Sequence, residues 1–200
     1  MTDKVTINIP VQYAAIALKT KALGFDMPSD LQTGSLLKTL VASKPGGRIL
    51  ELGTGTGLAT SWILSGMDNG ASLVSVDNNA LLINVAREQL KDHRIEFVCA
   101  DGYEWITTYK GASFDLIFAD AMPGKYDLFE ETFGLLKTGG IYFIDDMLPQ
   151  PNWPEGHAQR VEAFITMLGK RTDLVLTKLH WSTGIIIVTK TLNFKLQTQQ

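Results

Sequence analysis

Arg48–Gly57, RILELGTGTG, runs from a short apolar stretch into a turn with glycines at 53, 55 and 57, and a helical pattern opens directly behind it. A strand that meets a glycine-rich turn and a helix is a connection on which nucleotide-like ligands rest. Glycine permits positive φ and close approach of a ligand to the main chain, and the helix start presents N–H groups without partners. Two details narrow the ligand. The G-x-G-x-x-G spacing of dinucleotide sites would place its third glycine where Leu58 stands, and a carboxylate, Glu51, lies two residues before Gly53. That carboxylate would repel a pyrophosphate, whereas S-adenosylmethionine brings a sulfonium and an ammonium. The stretch therefore favours a cationic adenosyl cofactor held around Glu51, Gly53, Thr54, Gly55 and Gly57.

Outward from this turn the chain alternates. The strand Ile49–Leu52 leads to a helix over Thr56–Ser65, strand Ser72–Asp77 to helix Ala80–Lys91, and strand Ile95–Ala100 to a short helix at Tyr103–Tyr109. Strand Phe114–Asp120, helix Tyr126–Lys137, strand Gly140–Asp145 and helix Glu155–Gly169 follow, and strands at Leu174–Trp181 and Ile185–Thr189, joined by Ser182–Gly184, read as a hairpin. Near-continuous apolar strands alternating with helices predict a parallel sheet covered on both faces. The fold class is α/β: a Rossmann-like, doubly wound, mostly parallel seven-stranded sheet whose last strand is antiparallel. Upstream, helices at Val11–Ala22 and Asp30–Val41 flank a turn at Gly24 and Met27–Ser29. The first of these presents Tyr13, Ile16, Ala17 and Thr20 on one face, and reads either as cover for a sheet edge or as a lid. The expected organisation is a single domain, 1–200, with a helical cap over 1–45, a cofactor-binding core over 46–190 and a tail over 191–200.

At 200 residues, with 45% hydrophobic and 20% charged residues, the chain suits one substantial core. A net charge of −3 and the absence of Lys/Arg runs exclude the electrostatic footprint of a nucleic-acid or anionic-membrane binder. The single cysteine, Cys99, excludes an internal disulfide and sits in an apolar run, where a buried thiol is expected. The N-terminal MTDKVTINIP lacks a basic segment followed by an apolar core, and no apolar run reaches the length of a membrane span, so a cytoplasmic protein is expected.

Ligands of open parallel sheets bind beyond the carboxyl ends of the strands, and acidic residues recur there: Glu51, Asp77, Asp101, Asp120, Asp145 and Asp146. Asp77, followed by Asn78, lies about twenty residues past the glycine turn, where a carboxylate can accept from both ribose hydroxyls. Asp101–Gly102–Tyr103 offers an acceptor for an adenine amino group and an aromatic flank, or, alternatively, an N-cap for the next helix.

The segments E-L-G-T-G-T-G and F-D-L-I-F-A-D-A-M-P-G-K-Y, Phe114–Tyr126, resemble those of class I S-adenosylmethionine-dependent methyltransferases, in the small-molecule O-methyltransferase branch of the catechol and caffeoyl-CoA type. The resemblance covers residues 31–190. It implies methyl transfer to an oxygen of a small hydroxylated aromatic substrate, with Asp120 at the cofactor as well as in the catalytic site. It also implies a divalent ion, Mg²⁺, Ca²⁺ or Mn²⁺, on Asp120, Asp145 and Asp146; the plainer reading of the last two is a pair of loop aspartates. Tyr126 falls in the family's register. The lysine expected three residues past Asp120 is replaced by Pro123, with Lys125 two further on, and the family's Asn is Asp146. Catalytic candidates are therefore Asp120, Lys125 and His157, the last in the proline-rich loop Met147–His157, where a histidine can equally be an exposed helix-start residue. Trp181 is an edge aromatic or a piece of substrate wall. Similar bacterial enzymes are often dimers, which implies a homodimer, but no dimer motif is visible. Competing readings are a protein that binds the cofactor without transferring its methyl, and a nucleotide-linked oxidoreductase; methylation of nucleic-acid bases is disfavoured by D-A-M-P at the end of the fourth strand.

Overall fold

The structure, a computed structural model, describes residues 8–192. Two helices come first, α1 (Tyr13–Ala22) and α2 (Leu31–Ala42). The alternating core follows as β1 (Arg48–Leu52), α3 (Leu58–Gly66), β2 (Ser72–Asp77), α4 (Ala80–Gln89), β3 (Ile95–Cys99), α5 (Gly102–Thr108) and β4 (Phe114–Ala119). It closes with α6 (Phe129–Gly134), β5 (Leu136–Ile144), α7 (His157–Gly169), β6 (Leu174–Leu179) and β7 (Ile185–Lys190). The sheet has seven strands in the order β3-β2-β1-β4-β5-β7-β6, parallel from β3 through β5, with β7 antiparallel to both its neighbours. The strand order reverses between β1 and β4, which opens a crevice above their carboxyl ends.

Strand alternation sorts the core into two layers. Leu50, Leu52, Val74, Val76 and Ile117 pack with Ile106, Phe129, Phe133 and Phe164 of α5–α7, while Ile49, Leu73, Leu116 and Phe118 pack with Ile16, Leu37, Ile63 and Ala86 of α1–α4. Each wholly buried aliphatic or aromatic side chain contributes about 1.5–3 kcal/mol, so the rim of loops is carried on a rigid frame. Trp62, 1% exposed, lies against Gly34, which is why α2 and α3 can approach so closely.

The C-terminal hairpin closes antiparallel as expected, and β7 is seated between β5 and β6 with its Ile186 and Val188 wholly buried. Other expectations are corrected. The helix expected over Tyr126–Lys137 is confined to Phe129–Gly134, since Leu128 takes φ 55°, and β5 starts at Leu136 across a register shift opposite Phe114. Cys99 is exposed, not buried, because β3 is an edge strand and its end projects outward. The first helix lies on α3 and α4 rather than on a sheet edge, with Thr20 buried against Thr56. The tail expected from residue 191 lies almost wholly outside the described residues. No described helix is long and apolar enough to cross a membrane.

Candidate active site

Two cavities open along the carboxyl rim. The first, of about 520 Å³, is walled by the turn from Gly53 to Thr56, by Asp77 and Asn78 after β2, and by Asp101–Tyr103 at the start of α5. The second, of about 720 Å³, lies between the loop after β4, the loop after β5 and the start of α7, and includes Lys125, Tyr126, Asp145, Trp153, His157 and Arg160. Met27, Pro28, Ser29, Asp120, Met122 and Asp146 border both. Asp120 and Asp146 are thus the carboxylates at the junction.

The first cavity is held open by its own hydrogen bonds. Gly55 N–H donates to Asp77 Oδ2 at 2.7 Å, and Asn79 N–H donates to Oδ1 at 2.8 Å, so the carboxylate that ends β2 also fixes the turn. Gly53 at φ 102° passes so close to Asp120 that an added Cβ would lie 2.6 Å from its carbonyl oxygen. Gly55, at φ 51°, faces the Phe25 ring, 3.3 Å from where a Cβ would stand. Asp101 caps α5 through Tyr103 N–H at 2.8 Å and Glu104 N–H at 3.1 Å, so the capping role is present at a residue that also lines the cavity. Carboxylates at Asp77 and Asp101, with apolar Leu82, Met122 and Pro123 on the same wall, suit a sugar diol and a flat heterocycle; these residues fit an adenosyl group.

Two residues expected at the cofactor lie elsewhere. Glu51 does not line either cavity: it shares strand parity with Ile49, points toward α3 and is wholly buried. Its Oε2 accepts from Thr60 Oγ at 2.7 Å and Ser75 Oγ at 2.5 Å, and Thr54 of the turn bonds Ser75 at 2.6 Å. Its Oε1 has no partner among the described residues, and burial pushes the carboxyl up to about 8. Glu51 therefore braces the turn from behind. Gly57 is a packing residue: a Cβ there would lie 2.8 Å from Ala86, so it lets α4 close on the turn.

At the junction, Asp120 Oδ2 accepts from Ser29 Oγ at 3.1 Å, and Lys125 Nζ stands 3.9 Å from Oδ1. Burial, then the neighbouring Asp145, hold the Asp120 carboxyl well above the ordinary range. Asp145 is 2% exposed, accepts from Thr183 Oγ at 2.7 Å and the Asp146 amide at 2.9 Å, and is raised to about 6, chiefly by burial. Among the described residues no three Asp, Glu, His or Cys side chains are gathered closely enough to hold a metal. The expected three-carboxylate ion site is not formed: Asp145 is turned to Thr183, Asp146 takes a left-handed backbone at φ 57°, and the Lys125 side chain, 6% exposed, stands beside Asp120. The residues present do not fit a divalent ion.

His157 Nε2 lies 3.3 Å from the Tyr126 hydroxyl, with the Trp153 ring 4.6 Å away; burial and then Lys125 lower its pKa. It borders the second cavity but not the junction. Trp181, partly buried, packs against the core and lines neither cavity. Sequence reasoning missed Phe25, Asp127 and Arg160. The last sits one helical turn beyond His157, a signal that a helix-face reading of α7 could have used.

Residues 49–140, just under half of the chain, match the family model described as a methyltransferase domain. A protein of Mycobacterium tuberculosis described as a probable O-methyltransferase is 31% identical over 117 residues, covering 56% of this chain and 52% of the relative. The chain thus spans about half the length of the curated relatives it matches. Among solved structures, the O-methyltransferase TomG of Streptomyces achromogenes, solved with S-adenosylmethionine, superposes at TM-score 0.77 and 22% identity, covering 94% of this chain and 92% of its own. An O-methyltransferase of Bacillus cereus, solved with S-adenosylhomocysteine, superposes at TM-score 0.77 and 20% identity, covering 90% of each chain. The fold is that of the Rossmann-like methyltransferases. Within that class, the chain resembles the O-methyltransferases.

Proposed function

We propose that this protein is an S-adenosylmethionine-dependent methyltransferase that methylates an oxygen of a small hydroxylated aromatic compound seated in the second cavity. The observation that carries this reading is the meeting of the two cavities at Asp120 and Asp146, where a donor methyl and an acceptor oxygen would face one another. The cofactor supplies an electrophilic methyl on a sulfonium. Asp77 would accept from its ribose hydroxyls, Asp101 and Tyr103 would border its adenine, and the Gly53–Thr56 turn would border its methionine end. Trp153, Tyr126 and His157 offer ring faces and edges to a planar acceptor.

The acceptor hydroxyl must lose a proton as its lone pair bonds the methyl and the C–S electron pair passes to sulfur. Asp120 is better placed than His157 to take that proton because it borders both cavities, and burial makes it more basic than an exposed carboxylate. Lys125, buried with its ammonium 3.9 Å from Asp120 Oδ1, favours the ionised carboxylate that takes the proton and would face the hydroxyl oxygen as its charge develops. No step here uses a divalent ion. The test is a methyl-transfer screen with S-adenosylmethionine against catechols, phenolic acids and other hydroxylated aromatics, run with and without chelator. A methyl ether formed equally in both supports the reading, and a product methylated only on nitrogen or carbon contradicts it.

A further inference from the structure

The loop between β4 and α6, residues 120–128, is wedged between the two cavities and fastened on both sides through one residue. On the cofactor side, the Tyr103 hydroxyl donates to Asp127 Oδ2 at 2.8 Å, and Pro123 sits so close to Gly102 that a Cβ there would lie 2.7 Å from its ring. On the substrate side, Arg160 of α7 donates to Asp127 Oδ1 and lies over the Tyr126 ring, 5.4 Å from its centroid. The Asp127 backbone is pinned as well, its carbonyl accepting from Gly124 N–H at 2.7 Å. Tyr103 borders only the first cavity and Arg160 only the second. A single carboxylate, partly exposed, thus accepts from one donor on each wall.

We propose that Asp127 is a positioning residue that couples cofactor occupancy to the substrate wall: a ligand that fixes Tyr103 also fixes Arg160 through it. This rests on the reading that the first cavity holds S-adenosylmethionine. Tyr103 is 42% exposed, so an occupant that covers its ring removes freedom that the ring has when the cavity is open. Because Asp127 binds the Tyr103 hydroxyl and the Arg160 guanidinium on separate oxygens, ordering one donor lowers the cost of ordering the other, and linkage makes the effect reciprocal. Both contacts are partly solvated, which limits the coupling to a few-fold.

The experiment needs only S-adenosylmethionine as probe. Its affinity is measured by calorimetry for the wild type, Tyr103→Phe, Arg160→Met and the double variant, with melting curves to establish that each is folded. Loss of the Arg160 charge acts on the cationic cofactor equally in both backgrounds and cancels in the cycle. The expected result is that the effect of Arg160→Met on affinity differs about two- to fivefold according to whether it is made in the wild type or in the Tyr103→Phe variant. Amide exchange over residues 157–163 should slow on adding the cofactor to the wild type and not to Asp127→Ala. Additive effects, or slowing that persists in Asp127→Ala, overturn the coupling while leaving the cofactor site intact. A wild type that binds no cofactor overturns the functional reading as well.

Discussion

Glu51→Gln should remove a large pH dependence of stability while leaving the sheet intact. Glu51 is 0% exposed and its carboxyl is raised from 4.5 to about 8, first by burial. A carboxyl whose folded pKa lies above its unfolded value makes the native state bind the extra proton. Its stabilising contribution is therefore complete below about 4.5 and declines as pH rises toward 8. Each pH unit in that window costs about 1.36 kcal/mol. At pH 7 the pH stands 2.5 units above 4.5, so about 3 kcal/mol has been lost. Glutamine keeps an oxygen for Thr60 and Ser75 and does not ionise, although its amide leaves a buried donor that costs about 1–3 kcal/mol at every pH. Urea denaturation at unit steps from about pH 5 to about pH 8 gives the two profiles. Asp120 and Asp145 also tilt the wild-type curve, but they tilt the variant equally, so the difference between the proteins isolates Glu51. That difference should change by about 4 kcal/mol in favour of glutamine across the range. Parallel profiles would refute the placement of Glu51 as a buried brace.

Gly55→Val should cost at least about 1–2 kcal/mol of stability from its φ of 51° alone and should abolish cofactor binding by filling the turn, as read by melting and calorimetry. Lys125→Met should lower kcat about a hundredfold or more with cofactor affinity nearly unchanged, since Lys125 borders the second cavity and not the first. Asp120→Asn should also lower kcat, by about 10²–10⁴-fold, and should remove an alkaline-side gain in rate with pH, because the raised carboxyl accepts a proton only once ionised. His157→Ala should leave that limb in place.

The alternation of β1 through α7 was legible because parallel strands buried on both faces read as apolar runs and glycine-rich turns punctuate them. The order of the final hairpin was not, since an antiparallel pair looks the same in sequence whether it adds at the edge or inserts. Asp77, Asp101 and Asp120 were legible because strand ends are where the sheet presents polar groups. Glu51 was misplaced because strand parity decides which side a carboxylate faces, and proximity to the glycines says nothing of parity. Asp145 and Asp146 suggested a metal through the family resemblance and their carboxylates; the backbone turn at Asp146 and the Thr183 bond to Asp145 are three-dimensional facts. Asp127 and Arg160, which meet across thirty-three positions, carry no local signal of their pairing.

The central claim, that the first cavity is an adenosyl site, is tested most directly by calorimetric titration of S-adenosylmethionine into the wild type and Asp77→Ala. The account predicts one site per chain in the wild type, weakened in the variant by about 1.5–3 kcal/mol, roughly ten- to hundredfold, the scale of charge-assisted hydrogen bonds to a sugar diol with the turn's own Gly55 bond lost as well. No binding by the wild type, or equal binding by both proteins, would contradict it.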